Sequence, residues 1–291
     1  MSAKILVFFF IALSAVIPAS TQELKAYQIF TKNGDKTSFS QLSEDAHNKQ
    51  LVLFGELHNN PISHWIQLEL THSLHDRKQD SLILGMEMFE ADVQLIIDEY
   101  FAGLISERSF QQESRPWNNY DTDIRPLAEF ARENNLKLIA TNIPRRYASL
   151  VNREGFEGLE NLQQEARQYI APLPPPYDAE LPSYKSMLEM TGMHGNTNEN
   201  FPKAQAIKDA TMAHFILKNL DKDKTMIHFH GAFHTDNFEG IVWYIQQYAE
   251  NIPDHIIIST VEQDNIDSLS DENKGIADYI IVVPANMTKT Y

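Results

Sequence analysis

Two tetrapeptides of the form Gly-x-x-His, GELH at residues 55–58 and GAFH at residues 231–234, each follow a largely hydrophobic run. Glu56 stands two residues before His58, so in an extended chain both side chains project to the same side. A carboxylate can orient an imidazole for general acid–base catalysis. His and Glu side chains in a chain without Cys also suit a divalent metal such as Zn²⁺, Mn²⁺ or Ca²⁺.

Polar side chains also follow the next hydrophobic runs. Glu87 comes directly after residues 81–86, and Asn142 and Arg145 follow residues 136–140. In open α/β sheets, ligands bind outside the carboxyl ends of the strands. We therefore predict one shared site at one edge of a sheet. Its predicted catalytic or metal-binding residues are Glu56, His58, Glu87 and His234.

Three more residues are candidates for a supporting layer behind this set. Asn142 stands at a predicted strand end, and Asp209 lies on a predicted helix beside small Ala residues that permit close packing on the sheet. His230 lies next to the end of its strand. The alternatives are a surface position for Asp209 and a core histidine bonded to backbone groups for His230.

Hydrophobic runs alternate with segments of helical periodicity along most of the chain. This order predicts an α/β fold with three layers, in which helices cover both faces of a mostly parallel central sheet. The Asn33-Gly34 pair between two β-prone runs predicts a short N-terminal β-ribbon. We expect a single domain over residues 21–291.

The stretch at about residues 155–200 interrupts the alternation with several prolines and a short helical segment. A long insertion between core elements often covers a site, so we predict a mainly helical and loop insertion that acts as a lid. The alternative is a surface excursion without a function.

Residues 1–20 have the pattern of a secretory signal peptide, with Lys4 before an apolar run that is short for a membrane span. An uncleaved anchor is the alternative. The absence of Cys excludes disulfides, thiolate metal ligands and a diacylglyceryl-cysteine anchor. We expect an exported protein, periplasmic or secreted, that is not a lipoprotein.

The chain is acidic, with 24 Lys and Arg against 40 Asp and Glu and a formal net charge of -16. Such a surface repels phosphate backbones, which argues against nucleic-acid binding. The sequence also contains no phosphate-binding glycine loop and no Gly-x-Ser-x-Gly motif, which argues against a serine hydrolase of the usual kind.

Taken in order, these motifs resemble those of the ChaN-like haem-binding uptake proteins, which share a superfamily with the Tiki proteases and the erythromycin esterases. The resemblance covers about residues 26–283. It rests on both Gly-x-x-His motifs, on Glu87, and on the Asn142–Arg145 and Ala204–Ala213 segments. It implies a three-layer α/β/α core and a polar site at Glu56, His58, Glu87 and His234.

The resemblance also implies haem as the ligand, with a tyrosine on the iron. Tyr147 and Tyr120 are the candidate ligands, and Arg145, Arg146 or His194 are candidates to hold the propionates. A homodimer that encloses haem and an outer-membrane haem receptor are the implied partners.

Two functions remain open. The first is an exported haem-binding protein that assists haem and iron acquisition. The second is a metal-dependent hydrolase, an esterase or peptidase, in which a metal held by the Glu/His set lowers the pKa of a bound water. A solute-binding or scaffold protein, on which an ancestral site persists without activity, is a third interpretation.

Overall fold

The computed structural model describes residues 24–192 and 198–291. The predicted signal peptide and His194 lie outside the described residues. The strands are β1 Gln28–Thr31, β2 Lys36–Thr37, β3 Leu51–Glu56, β4 Leu82–Glu90, β5 Lys137–Asn142, β6 Thr225–Gly231, β7 His255–Gln263 and β8 Tyr279–Pro284. The α-helices are α1 Phe39–His47, α2 Pro61–Lys78, α3 Gln94–Phe101, α4 Glu107–Glu113, α5 Arg125–Glu133, α6 Arg145–Glu154, α7 Gln164–Arg167, α8 Pro182–Gly192, α9 Asn200–Asn219 and α10 Ile241–Tyr248.

These strands form one sheet in the order β2-β1-β8-β7-β3-β6-β4-β5. The six strands from β8 to β5 are parallel to their neighbours, and β1 runs antiparallel to both β2 and β8. The α/β class, the mostly parallel sheet and the N-terminal ribbon are therefore confirmed.

Each face of the sheet has its own hydrophobic core. Side chains of β3 alternate between the two cores: Val52 and Phe54 join one, and Leu51 and Leu53 join the other. Helices α1 to α5 pack on the first face, and α6, α9 and α10 pack on the second. This arrangement gives the three predicted layers.

The two edges of the sheet differ. At one edge, β2 has only two residues. At the other edge, the amide of Gln94 donates to the Leu138 carbonyl over 2.9 Å and accepts from the Ala140 N–H over 2.8 Å. Both groups are on β5, so one side chain pairs with the edge strand where another strand would otherwise bind.

The stretch predicted as an insertion contains a 3₁₀-helix at Phe156–Asn161, then α7, a proline-rich segment and α8. Tyr244 of α10 donates to the Pro176 carbonyl over 2.8 Å, and Tyr177 stacks on Tyr184 of α8. The Tyr244 bond attaches the stretch to the second helical layer, and the ring contact holds its proline-rich segment against α8. No helix in the described part of the chain is long and apolar enough to cross a membrane.

The two Gly-x-x-His segments meet where β3 and β6 end side by side, with Glu56 in register with Gly231. A Cβ placed on Gly55 would lie only 2.7 Å from the Ala232 Cα, which is backbone and cannot rotate away. Glycine at position 55 is therefore what permits this close approach.

We expect Gly55→Ala to lower the free energy of unfolding by about 1–3 kcal/mol, because the added methyl group forces two backbones apart. Urea denaturation measures the change. Gly158→Ala is the control, since the atoms nearest to its Cβ would be side-chain atoms of Leu150 and Glu154, at 3.1 Å, and not backbone. Equal losses of stability in the two variants would contradict the steric explanation.

Candidate functional site

The first half of the site lies at the end of β3. Glu56 is 2% exposed, and its Oε1 accepts a hydrogen bond from His58 Nδ1 over 2.9 Å. Its Oε2 accepts from Gln67 Nε2 of α2 over 2.7 Å. With both oxygens held, the carboxylate fixes the orientation of the His58 ring.

The backbone of His58 is held equally firmly. Its carbonyl accepts from Asn119 Nδ2 over 2.9 Å and lies 3.2 Å from His64 Nε2. The start of α2 places His64, because the Asn60 side chain caps the first N–H groups of that helix. Trp117 packs against the His58 ring with 4.8 Å between ring centroids.

Glu87 lies inside β4 and not after it, which corrects the predicted end of that strand. The pairing of β4 with β5 shifts between Met86 and Glu90, and such irregularities re-aim side chains near sites. Glu87 Oε2 accepts a hydrogen bond from the N–H of Gly231 over 2.8 Å. Gly231 is the last residue of β6, so this carboxylate pairs with the backbone at the end of that strand.

His234 occupies a short 3₁₀-helix after β6, at Ala232–His234. Its Nε2 lies 3.2 Å from Glu87 Oε1, and its Nδ1 donates to Asp209 Oδ1 on α9. Tyr184 of α8 donates to the other Asp209 oxygen over 2.7 Å. All four side chains are buried, so these contacts form one connected polar network.

The electrostatics of this network follow from its two acids and one base. Burial alone lowers the pKa of His234, but Glu87 and Asp209 outweigh it and raise that pKa to about 10. Burial alone raises the pKa of Glu87, but His234 brings it well below the usual range. For Asp209, burial prevails and the pKa is raised. His234 is therefore charged at neutral pH.

His58 faces solvent more than His234 does, with 38% of its side chain exposed. Burial lowers its pKa, but the Glu56 hydrogen bond and the charge of Glu87 raise it above the ordinary value. Its Nε2 accepts no hydrogen bond from any described residue. The Glu56 carboxylate therefore orients this imidazole through Nδ1, and Nε2 has no hydrogen-bond partner among the described residues.

A cleft of about 1000 Å³ lies over these residues. That volume is at the upper end of small-molecule sites. The cleft has aromatic and aliphatic walls and three cationic side chains. The apolar lining includes Trp117, Ile143, Met187, Phe201 and Phe233, and the cations are Arg145, Arg153 and Lys208.

Asn142 also lines the cleft, and one polar atom of its side chain lacks a hydrogen-bond partner. The residue is 9% exposed, and its Oδ1 is buried without a hydrogen-bond partner among the described residues. A buried polar atom without a partner is costly, so it indicates a group supplied by a ligand or water.

The structure brings most of the predicted residues together. Glu56, His58, Glu87, His234, Asn142 and Arg145 all line the cleft, and Asp209 supports His234 from behind. His230 is buried inside β6, 3.0 Å from His228 Nδ1 and 2.9 Å from the Thr235 hydroxyl, and is not part of the lining.

The remaining predicted haem contacts lie elsewhere. Tyr120 is 3% exposed and packs among Phe89 and Phe110 in the first core. Tyr147 is half-buried under the Arg146 guanidinium, and Arg146 pairs with Asp92. None of these three residues lines the cleft.

The described residues contain no group of three or more His, Asp or Glu side chains arranged to hold a metal ion. Glu56 is engaged with His58 and Gln67, and Glu87 with His234 and Gly231. A metal at the predicted positions would have to displace these pairs.

Sequence reasoning missed four residues that shape the site. His64 and Gln67 share one face of α2 at i, i+3 spacing, a pattern that becomes informative once α2 is known to start beside Glu56. Trp117 and Tyr184 had no such signal, because each reaches the site from a loop or helix of irregular pattern.

Comparisons with known proteins agree with this fold. The profile of the family described as haem-binding uptake, Tiki superfamily, ChaN matches residues 42–245. Among solved structures, ChaN of Campylobacter jejuni, described with cofacial heme binding, superposes with a TM-score of 0.66 at 15% identity and covers 90% of this chain and 98% of that one. That likeness shows the fold alone.

Two further matches are weaker. The chloroplastic protein RETICULATA-RELATED 5 of Arabidopsis thaliana is 24% identical over 188 residues, and the match covers 59% of this chain but only 25% of that relative. The chain thus spans about a quarter of the length of this curated relative. An erythromycin esterase mutant in its open conformation gives a TM-score of 0.49 at 10% identity, covering 88% of this chain and 97% of that one.

The raised pKa of His234 predicts a loss of stability in base. Its stabilising effect is fully present below its unfolded value of 6.5 and is lost as the pH rises through about 10. We expect the free energy of unfolding from urea titrations to fall between pH 7 and pH 10.5.

His234→Gln should lower stability at pH 7 by about 3–5 kcal/mol, because it leaves two buried carboxylates without a cation. The difference between wild type and variant should shrink toward pH 10.5. His72→Gln, on α2 and away from the cleft, is the control. A difference that stays constant with pH would show that His234 is not charged in the fold.

Proposed function

The chain belongs to the ChaN family of haem-binding uptake proteins in the Tiki superfamily, and from this membership we propose that it is an exported protein that binds haem in the cleft and assists haem and iron acquisition. The observation that carries the proposal is the composition of the cleft: aromatic walls, cationic side chains and one open imidazole in an otherwise acidic protein.

The residues of the cleft fit haem in two respects. A flat apolar macrocycle suits walls that contain Trp117, Phe201 and Phe233, because aromatic rings bury large planar surfaces. The donor set of the cleft includes an imidazole, which is a common ligand of haem iron.

The two propionates of haem require cations. Arg145 has 75% of its side chain exposed, and its nearest acid is Glu90 at 3.8 Å, so its guanidinium remains accessible. Arg153 and Lys208 line the same cleft. Arginine and lysine are the usual partners of carboxylates, and their grouping stands out against a net charge of -16.

Export and partners are further parts of the proposal. The sequence pattern of residues 1–20 supports export, and an outer-membrane haem receptor would then be the delivery partner. Phe201 and Phe233 are 42% and 40% exposed at the cleft. A second copy placed over this cleft would cover both rings and the outer face of a bound haem.

A second candidate function is a hydrolase, an esterase or peptidase. It is favoured by one observation, the buried Glu56 carboxylate that orients the cleft-facing His58. That pair is the arrangement of a general base and its orienting group. If a divalent metal takes part, Glu56, His58, Glu87 and His234 are the residues nearest to hold it.

We expect haemin titration to give a saturable shift of the Soret band. Arg145→Ala and Arg153→Ala should each weaken haemin binding by about tenfold, because one charge-assisted contact is worth about 1.4 kcal/mol. Arg77→Ala, which removes a surface arginine of α2 that pairs with Glu44 of α1, should have no effect. A protein without a Soret shift would refute haem binding.

The hydrolase candidate is tested on the same preparation with ester and peptide substrates, before and after chelator treatment. Activity that disappears in His58→Ala and in the chelated protein would establish it. Turnover that is absent from the wild type, or equal in His58→Ala, would exclude it.

A further inference from the structure

We infer that residues 114–119 form a strap over the ligand cleft, and that Arg115 is the positioning residue that fixes this strap. The strap carries Trp117, whose ring is part of the apolar lining of the cleft. The inference rests on the proposed function where it concerns haem, whereas the position of Trp117 can be measured without any ligand. Three features of the described residues support it.

The first feature is the path of the strap. One end lies beside β3, because the Asn119 side chain donates to the His58 carbonyl over 2.9 Å. The other end lies beside β4, because Arg115 Nη2 donates to Glu90, the last residue of that strand, over 2.9 Å. Strand β6 lies between β3 and β4 in the sheet. The strap therefore crosses the end of β6, and Trp117 stands between its two attachments.

The second feature is a chain of alternating charges that holds Arg115. The same Nη2 atom also donates to Asp92 Oδ1 over 2.5 Å. The other Asp92 oxygen accepts from Arg146 Nη1 over 2.6 Å, and Glu90 Oε1 lies 3.8 Å from Arg145 Nε. Isolated pairs of exposed charges contribute little to stability, but these two acids are only 14% and 11% exposed and belong to one network. The network joins the strap to the start of α6.

The third feature is the backbone of Arg115. Its φ is 52°, in the left-handed region that side chains rarely adopt, and the proline that follows restricts it further. This conformation costs free energy, which the ion pairs with Glu90 and Asp92 offset. Without these ion pairs, we expect the strap to relax. The Trp117 ring would then leave the His58 ring, which it now meets with 4.8 Å between ring centroids.

Two arginines share Glu90 unequally. Arg115 lies 2.9 Å from this carboxylate, whereas Arg145 lies 3.8 Å from it and has 75% of its side chain exposed. A carboxylate of the ligand can therefore take Arg145 without releasing the strap. Arg115 does not line the cleft, so it acts on a ligand only through Trp117.

Acrylamide quenching of Trp117 fluorescence in the ligand-free full chain tests the positioning role. The chain has three tryptophans, so Trp65→Phe combined with Trp243→Phe leaves Trp117 as the only one. In this parent chain, Arg115→Ala should raise the quenching constant and shift the emission maximum to longer wavelength, because the released ring meets water. Arg115→Lys should give an intermediate value, since an ammonium keeps the charge but not the forked geometry.

Arg125→Ala is the matched control and should leave the quenching of Trp117 unchanged. The Arg125 side chain is 43% exposed, against 46% for Arg115, and it pairs with Glu107 of α4 over 2.7 Å. Equal quenching in the parent chain and in Arg115→Ala would overturn the inference. If circular dichroism shows that Arg115→Ala does not fold, Asp92→Asn provides the same comparison, because it removes one acid from the network.

The effect on the ligand is measured as the rate at which haemin leaves the protein for an excess of haem-free myoglobin. Arg115→Ala should raise this rate by about fivefold, the size expected for a partly exposed ion pair in a network. In a Trp117→Ala background it should have no further effect, because both changes remove the same wall. Haemin dimethyl ester, whose carboxyl groups are blocked, should leave Arg115→Ala faster by the same factor.

The outcomes separate the two claims. If Arg115→Ala and Trp117→Ala act additively, or if Arg115→Ala affects haemin and not its dimethyl ester, Arg115 does not act through Trp117. The inference is then overturned while haem binding stands. If the wild type binds no haemin, the proposed function fails, and the quenching comparison alone decides whether Arg115 positions the strap.

Discussion

The imidazolium of His234, buried between the carboxylates of Glu87 and Asp209, is the interaction on which the site depends. It joins β4, the segment after β6 and α9, and through Tyr184 it also reaches α8. Burying two carboxylates is unfavourable unless each has a partner of opposite charge or a hydrogen-bond donor. The network therefore holds its elements in one relative position, and that position sets the back wall of the cleft.

Much of the fold could be predicted from the sequence because its pattern is regular. Continuous apolar runs alternating with helical segments indicated a covered parallel sheet, and strand ends in Gly-x-x-His indicated where polar groups converge. Glu87 was harder to place, because the irregular pairing of β4 extends that strand beyond its apolar run. His230 was ambiguous because a buried histidine and a functional one have the same sequence; its neighbours His228 and Thr235 became known only in three dimensions.

Contacts between distant segments could not be predicted from the sequence. Trp117 meets His58 from a loop, and Tyr184 meets Asp209 from the proline-rich stretch, and neither has a periodicity that points to its partner. The haem contacts expected from the resemblance show the same limit, because Tyr120 lies in the first core and Tyr147 lies under Arg146, and neither lines the cleft.

The two edges of the sheet limit how copies of this protein can associate. Exposed edge strands are templates on which other chains can add, and repeated addition leads to fibrous aggregates. Gln94 occupies the free backbone groups of Leu138 and Ala140, and the opposite edge ends in a strand of two residues. Lateral growth through strand pairing is thereby blocked at both ends, so self-association of this chain is left to its side-chain surfaces.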